Sequence, residues 1–257
     1  MHRSGRCMPM NGLTVLILAA ENGVKQERWT EPAAPKQLIK VRGETLLGRT
    51  LRLLGERGVE TPWLLTGNEV LARYPVLSWC PLQRETKAHS LLAAEAVVGA
   101  GDLLVLYSDV YYSEAAIDKI LASRATRFYG RDGRSAYTFK NYGELFAVRI
   151  ADADRERARA ALMQAVTFYQ STGNQSFWSF YRLMAGLPLT DNKAIERHVF
   201  VDIHDETDDV DFADEVPLLL AAINKPLRWR VRHLVRRLSL ANKRRRDRGR
   251  RAVDKAA

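Results

Sequence analysis

The first half of the chain alternates short apolar runs with segments whose apolar residues recur at helical spacing. Apolar runs predict buried strands, and helical spacing predicts helices that bury one face. We predict strands at residues 13–20, 62–66 and 102–107, and helices at 45–57, 90–98 and 113–121. This alternation is typical of a mainly parallel sheet covered by helices. The fold class that we predict is therefore α/β and Rossmann-like, with a mostly parallel central sheet flanked by helices.

The second half of the chain is less regular but continues the same plan. We predict strands at residues 136–140, 145–150 and 199–203, and helices at 152–169 and 177–184, with 218–223 ending the globular body. An acidic stretch, residues 205–214, follows the last strand. The domain organisation that we predict is an N-terminal extension at 1–12, one domain at 13–224 and a basic tail at 225–257.

Composition supports a folded body and places the basic charge in the tail. The chain has 257 residues, of which 46% are hydrophobic and 27% charged, with a formal net charge of +10. Residues 225–257 contain 14 Lys and Arg against two Asp, whereas the remainder contains 26 basic and 28 acidic residues. The body is therefore close to neutral, and an argument for an anionic partner concerns the tail.

The tail has two parts that differ in pattern. Residues 226–240 place leucine and valine at helical spacing among arginines, and residues 243–251 are mostly Lys and Arg. An amphipathic basic helix of this kind can bind an anionic membrane surface, or it can pack on the body and leave a solubilising end. No recognisable RNA-binding motif with interleaved aromatic residues supports nucleic acid, so it is not the partner that we expect.

The cysteines and the N-terminus indicate a cytoplasmic protein. Cys7 and Cys80 are too few for a disulfide framework. The apolar run after the basic N-terminus resembles a signal peptide, but Glu21 and Lys25 follow it at once, which favours a first buried strand. No run approaches the ~18 uncharged apolar residues of a membrane-spanning helix.

The loop after the first strand is the first place to look for a ligand, because ligands of open α/β sheets bind at the carboxyl ends of the strands. Gly23 permits close approach of the backbone to a phosphate. Lys25 and Lys36 supply positive charge for it. The same residues are also compatible with an ordinary solvated loop.

Four motifs in this region carry a resemblance to a known family: Leu18-Ala-Ala-x-x-Gly-x-Lys25, Pro35-Lys36-x-Leu38, Val41-x-Gly43 and Leu46-Leu47-x-Arg49-Thr50-Leu51. Together they resemble the nucleotidyltransferases of the GT-A type fold, which include sugar-1-phosphate nucleotidyltransferases and bacterial phosphocholine cytidylyltransferases. The resemblance implies catalytic roles for Lys36 and Lys25, and nucleotide-binding roles for Leu18, Ala19, Ala20, Gly23, Lys25 and Lys36. The chain departs from the family at Glu21, where glycine is usual, and at Lys25, where arginine is common.

Carboxylates at two places in the chain match the family's metal ligands. Asp109 follows the apolar strand at 102–107, and Asp209 and Asp211 lie in the acidic stretch, where Phe212 and Ala213 replace the family's threonine and proline. The resemblance implies that these three aspartates bind Mg²⁺, an ion that favours oxygen ligands. The structural alternatives are a turn or helix-capping role for Asp109, and for the run at 207–214 an acidic loop that caps the segment from Asp214 onward.

Two further groups of residues correspond to the specificity elements of the family. Gln83, Thr86 and Ser90 correspond to the part of the family that contacts the nucleobase, and we expect Ser90 to open the helix that follows. On the acceptor side the corresponding residues are Lys140, Tyr142, Glu144 and Trp178. The two aromatic side chains can stack on a base or cover a quaternary ammonium group, or they can be part of the core.

The function that we predict is Mg²⁺-dependent transfer of NMP from an NTP, with CTP favoured, to a small phosphorylated acceptor with release of pyrophosphate. The acceptor is a phospho-alcohol, a phosphonate or a sugar 1-phosphate. The five histidines show no metal-binding spacing, and no Gly-x-Ser-x-Gly motif indicates a covalent mechanism. Two alternatives remain: a glycosyltransferase, which would usually carry Asp-x-Asp where this chain has Tyr107-Ser108-Asp109, and a silent nucleotide-binding protein, suggested by Glu21.

Overall fold

The computed structural model describes residues 12–19, 35–135, 137–138, 140, 142–191, 194–211 and 214–224. The predictions for Ala20, Gly23 and Lys25 therefore lie outside the described residues, as do those for the basic tail and for nearly all of the N-terminal extension.

A mixed sheet of seven strands forms the centre of the described part of the chain, in the order β10-β8-β9-β6-β1-β4-β5. Its strands and those of two smaller sheets are β1 (Leu13–Leu18), β2 (Lys40–Val41), β3 (Glu44–Thr45), β4 (Trp63–Leu65), β5 (Leu77–Trp79), β6 (Asp102–Tyr107), β7 (Val110–Tyr111), β8 (Arg127–Arg131), β9 (Glu144–Ile150), β10 (Phe200–Asp202) and β11 (Asp208–Asp209). Only β9 of the central sheet runs antiparallel to its neighbours β6 and β8. This arrangement confirms the prediction of a mostly parallel α/β sheet.

Five helices of the described residues contribute to the core around the central sheet: α1 (Leu46–Gly55), α2 (Lys87–Ala93), α3 (Glu114–Ala122), α4 (Arg155–Thr172) and α5 (Trp178–Ala185). A further helix, α6 (Glu215–Ile223), packs in a second, smaller core with Val41, Tyr111 and Val210. The first three begin at hydroxyl N-caps, because Thr45, Thr86 and Ser113 each accept a bond from a backbone N–H in the first turn. Gly173 ends α4 in the left-handed conformation, with φ of 71°.

Burial on both sheet faces explains why the central strands were predictable. β1 and β6 are almost continuous apolar runs, and Leu16, Ile17 and Leu104 are fully buried between the helix layers. A strand buried on both faces needs apolar residues at successive positions rather than alternation. The main core therefore lies on either side of these two strands.

Three sequence predictions differ from the structure. No strand forms at residues 137, 138 and 140, because the backbone N–H groups of Tyr137 and Thr138 turn toward the Ser135 hydroxyl. Strands β5 and β8 of the central sheet and the short strands β2, β3, β7 and β11 were not predicted. The helix predicted at 90–98 is instead α2, which begins at Lys87 after its Thr86 cap and is followed by a 3-10 turn. Ser90 therefore lies inside this helix and does not open it.

A small two-stranded sheet places the acidic stretch beside the end of β6. In it, β11 pairs antiparallel with β7, with Asp209 opposite Val110. The backbone N–H of Val210 also donates to the carbonyl of Asp109 at 2.9 Å. Two carboxylate regions about a hundred residues apart in sequence are thereby brought to one edge of the central sheet. Within the described residues, no helix has the length and apolar character needed to cross a membrane.

Candidate active site

The turn that follows β6 holds Asp109 at the carboxyl edge of the central sheet. The buried Tyr112 hydroxyl accepts a bond from the backbone N–H of Tyr107 at 3.0 Å and donates to the carbonyl of Phe146 in β9 at 2.6 Å. This hydroxyl therefore ties both ends of the turn to the sheet. Ser113 caps α3, so the alternative of a helix-capping role for Asp109 does not hold.

The end of β1 is fixed against its neighbours by backbone contacts. Leu18 accepts bonds from the backbone N–H and the hydroxyl of Ser108, at 3.1 and 2.6 Å. Ala19 accepts a bond from the hydroxyl of Thr66 at 3.2 Å. The two predicted nucleotide-binding residues at this strand end, Leu18 and Ala19, are buried.

Lys36 joins Asp109 to the acidic stretch. It begins a short 3-10 helix after Pro35, and its ammonium group forms an ion pair with Asp109 and lies 3.4 Å from Oδ1 of Asp211. Burial lowers the pKa of Lys36, but attraction to Asp109 and Asp211 outweighs it and raises the pKa above its ordinary value. Burial also raises the pKa of Asp109, but Lys36 and Lys87 outweigh this effect and hold that pKa below its usual range.

Lys140 binds the other oxygen of Asp211 and two further carboxylates. Its ammonium nitrogen lies 3.2 Å from Asp209, 3.0 Å from Oδ2 of Asp211 and 3.1 Å from Glu215. Glu215, the first residue of α6, also accepts a bond from the backbone N–H of Asp211 at 2.7 Å. Burial lowers the pKa of Lys140, but the attraction of Asp209 and Asp211 is stronger, and the ammonium remains charged.

Asp209 is the least compensated carboxylate of this group. Its side chain is nearly buried, and its Oδ1 atom has no hydrogen-bond partner among the described residues. Nη2 of Arg131 lies 3.8 Å from this oxygen. Burial, followed by repulsion from Glu144 and Asp211, raises the pKa of Asp209 well above its ordinary value. The Arg131 guanidinium is held mainly by Asp208, at 2.8 Å.

The chemistry and charge of the site fit a divalent cation, but the present positions of its side chains do not. Four carboxylates, those of Asp109, Asp209, Asp211 and Glu215, lie around the ammonium groups of Lys36 and Lys140, and these six side chains carry an excess of negative charge when all of them are ionised. However, the described residues include no group of three or more Asp, Glu, His or Cys side chains arranged to hold a metal ion. The lysine ammonium groups lie between the carboxylates instead. Metal binding by Asp109, Asp209 and Asp211 stays a prediction.

The predicted nucleobase residues lie around the start of α2. Gln83 is exposed in the preceding loop. The Thr86 hydroxyl caps the helix and lies 2.9 Å from Nδ1 of His89, and the buried Ser90 hydroxyl donates to the carbonyl of Thr86 at 3.4 Å. The hydroxyl groups of Thr86 and Ser90 therefore stabilise this helix start, and Gln83 is the predicted side chain that faces solvent. An open cavity of about 390 Å³ lies in the same loop, lined by Cys80, Pro81, Leu82, Arg84 and Glu85.

The predicted acceptor residues do not share one environment. Tyr142 is half exposed, and the Arg131 guanidinium lies 5.5 Å from the centre of its ring. Trp178 stacks on Phe200 with ring centres 5.9 Å apart and belongs to the edge of the core. Glu144 is the first residue of β9, and because β9 runs antiparallel to its neighbours, Glu144 lies near Asp209 in the carboxylate cluster. Tyr142 is thus the accessible aromatic ring beside the site.

Two charged residues near the site were not identified from the sequence. Glu215 contacts Lys140, and its position directly after the acidic stretch, four residues beyond Asp211, was the available signal. Lys87 follows the Thr86 cap, and its ammonium lies 3.9 Å from the centre of the Tyr107 ring. A single lysine at a helix start has no distinctive sequence pattern.

Comparison with solved structures shows which fold this is. The chain is similar to the CTP:phosphocholine cytidylyltransferase of Streptococcus pneumoniae, with 14% identity, a TM-score of 0.53 and coverage of 82% of this chain and 99% of that chain. It is also similar to a UDP-glucose pyrophosphorylase of Acinetobacter baumannii, with 13% identity, a TM-score of 0.55 and coverage of 88% and 99%. A third similar structure is a putative glucose-1-phosphate thymidylyltransferase of Bacillus anthracis, with 11% identity, a TM-score of 0.52 and coverage of 84% of this chain and 97% of that chain. No protein-family model and no curated protein matches the sequence.

These similarities define the fold class of the molecule. The protein has the nucleotidyltransferase fold, as the resemblance of its first hundred residues implied. The similar structures include proteins named for cytidylyl, thymidylyl and UDP-sugar chemistry, and their coverage extends over most of the described body.

Proposed function

We propose that this protein is a nucleotidyltransferase that transfers NMP, preferably CMP from CTP, to a small phosphorylated acceptor. The observation that carries the proposal is the position of Lys36, which lies at the carboxyl edge of the sheet in contact with Asp109 and Asp211. Lysine and carboxylate side chains at such an edge supply the charges that phosphoryl and nucleotidyl transfer require. The nucleotidyltransferase fold of the chain supports this interpretation.

The reaction needs no covalent bond to the protein. An oxygen of the acceptor phosphate attacks the α-phosphorus of the NTP in line, the new P–O bond forms, and the bond from the α-phosphorus to the bridging oxygen breaks. The electron pair leaves with pyrophosphate. Lys36 would stabilise the negative charge that develops on the phosphates, since a fixed cation at that position stabilises the transition state.

The acceptor side of the site is formed by residues of the β8–β9 region. Lys140 would bind the acceptor phosphate, and Tyr142 would cover the rest of the acceptor with its exposed ring. Glu144, the first residue of β9, places a carboxylate near Tyr142. An aromatic face beside a carboxylate favours a cationic group. We therefore favour a phospho-alcohol acceptor with a cationic head over a phosphonate or a sugar 1-phosphate. Trp178 would support this wall from the core.

Mg²⁺ is part of the proposal. Asp109, Asp209 and Asp211 are donors of the kind that Mg²⁺ binds. When bound, the ion would neutralise phosphate charge.

The first experiment is a thermal-shift panel of CTP, UTP, GTP and ATP, each with and without Mg²⁺. A ligand at 100 times its Kd stabilises the folded state by about 2.7 kcal/mol, so we expect a clear shift with CTP and Mg²⁺. Pyrophosphate release is then measured with phosphorylated acceptors of different classes. Lys36→Met and Asp109→Asn should abolish release, whereas Asp118→Asn, at an exposed ion pair on α3, should not. An Asp109→Asn variant with full activity would refute the assignment.

A further inference from the structure

The carboxylates of the candidate active site are already bound by cations of the chain itself. Asp211 has one lysine at each oxygen, with Lys36 3.4 Å from Oδ1 and Lys140 3.0 Å from Oδ2. Lys140 also binds Asp209 and Glu215, at 3.2 and 3.1 Å. All five side chains of these contacts are at least 86% buried, so water screens their interactions only weakly.

A divalent cation and these ammonium groups compete for the same oxygen atoms. Mg²⁺ binds oxygens at about 2.0–2.1 Å in near-octahedral geometry. An ion bound to Asp211 at that distance would lie next to the ammonium groups of Lys36 and Lys140, and like charges repel strongly at such separations in a poorly solvated site. A metal therefore needs these two groups to move.

Phosphate is the ligand that can move them. Lysine is a compact charge on a flexible stem and is a common phosphate-binding residue. A phosphate that enters this edge of the sheet offers Lys36 and Lys140 new negative partners, and the carboxylate oxygens that they leave become available to a cation. The excess of carboxylates over lysines then favours a divalent ion.

We propose that Lys36 and Lys140 are resident counter-ions that keep the affinity of the site for free divalent cations low until a phosphate ligand draws them away. This inference rests on the proposed function in one respect, namely that the phosphate belongs to a substrate. Metal and phosphate then bind cooperatively, and by thermodynamic linkage each raises the affinity for the other by the same factor. The free protein is protected from tight binding of a metal without substrate.

The test measures Mn²⁺ binding to the full chain by electron paramagnetic resonance, without nucleotide. Removal of one ammonium from the carboxylates should tighten Mn²⁺ binding at least about tenfold in Lys140→Gln and in Lys36→Gln. Lys119→Gln is the matched control, because Lys119 is an exposed lysine of α3 that donates to the backbone carbonyl of Asp202. Lys140→Arg keeps the charge and should bind Mn²⁺ as weakly as the wild type.

The inference is overturned if folded Lys140→Gln and Lys36→Gln bind Mn²⁺ no more tightly than the wild type and Lys119→Gln. Circular dichroism establishes that each variant is folded, and Lys36→Gln decides the question if Lys140→Gln does not fold. A purely structural role for the lysines would lower stability and leave Mn²⁺ affinity unchanged. As a second arm, inorganic phosphate should raise the Mn²⁺ affinity of the wild type more than that of Lys140→Gln, and an equal response would also count against the inference.

The outcome is separable from that of the proposed function. The variant comparison uses no nucleotide and no turnover, so it decides the counter-ion role even if no NTP is a substrate. Conversely, a failure to release pyrophosphate with any NTP refutes the proposed function without changing the Mn²⁺ result.

Discussion

Two isosteric substitutions at different aspartates of the same carboxylate cluster should change stability in opposite directions. Asp109→Asn should lower the free energy of unfolding at neutral pH, because the fold stabilises the ionised form of Asp109 through Lys36 and Lys87. Asp209→Asn should raise it, because burial and the neighbouring carboxylates Glu144 and Asp211 destabilise the ionised form of Asp209. The site therefore stabilises the ionised form of Asp109 and destabilises the ionised form of Asp209.

The magnitude of the first effect follows from the contact with Lys36. The side chains of Lys36 and Asp109 are only 14% and 19% exposed. Loss of a hydrogen bond to a charged group in such surroundings costs about 1.5–3 kcal/mol. Asp118, paired with Arg57 at 2.6 Å, is 63% exposed. Its substitution by asparagine should therefore cost less than about 1 kcal/mol.

The pH dependence of unfolding supplies the assay. Stabilisation by Asp109, whose folded-state pKa is lowered, is present above its unfolded pKa near 3.9 and is lost as pH falls through the folded value. The deficit of Asp109→Asn should therefore disappear in acid. The folded-state pKa of Asp209 is raised, so its penalty in the wild type develops as pH rises above about 3.9. The advantage of Asp209→Asn should grow over that range and then become constant.

Urea unfolding of the wild type and the three variants between about pH 2 and 8 covers the range in which each contribution changes and tests both signs. Two results would refute the reasoning: a loss of stability in Asp209→Asn at neutral pH, or a deficit in Asp109→Asn no larger than that in Asp118→Asn.

Three further predictions concern the scaffold and the nucleotide side of the site. Tyr112→Phe removes the donor to the carbonyl of Phe146 in a fully buried position, and urea unfolding should show a loss of about 1–3 kcal/mol; a neutral result would mean that the 2.6 Å bond is not formed. Gly130→Ala would drive a methyl group into the backbone carbonyl of Glu144 in the paired strand, and calorimetry should show a lower Tm, with a loss of about 1–3 kcal/mol; an unchanged Tm would contradict the close approach. Lys87→Met removes a positive charge beside the site and should weaken CTP binding about tenfold, which corresponds to the loss of one charge-assisted hydrogen bond. Calorimetric titration measures the Kd for CTP, and an unchanged Kd would place Lys87 outside the nucleotide site.

The sequence predicted those parts of the fold whose burial is uniform. β1 and β6 are apolar at nearly every position, so their runs were visible without any knowledge of their neighbours. β8 is equally buried but begins and ends with arginine and contains glycine. Its Arg131 is tolerated in the interior because Asp208, more than seventy residues later, pairs with it. That compensation is a property of the folded chain, and local pattern carries no trace of it.

The site shows the same division between local and long-range information. Lys36 and Asp109 were assigned from motifs in which each residue has a recognisable neighbourhood, and the structure brings them into contact. Lys140 was placed on the acceptor side by resemblance, but its contacts with Asp209 and Glu215 span about seventy residues of sequence. They also depend on a bend at 137–138 where a strand was predicted. Mutual neutralisation of these side chains could therefore be found only in three dimensions.

Because β9 is antiparallel to β8, the residues that join these two strands form one side of the site, apart from the loops that carry Lys36 and Asp109. The two sides can therefore be engineered separately. β8 and β9 are paired neighbours, and residues 132–143 join them as an excursion at the carboxyl edge of the sheet. This excursion carries Lys140 and Tyr142, whereas Lys36 and Asp109 lie on loops that belong to other strands. Exchange of the excursion between proteins of this fold would thus replace the residues that we propose for the acceptor side and leave the strand ends that carry Lys36 and Asp109 in place. If the proposed acceptor side is correct, replacement of this one hairpin connection would change the acceptor.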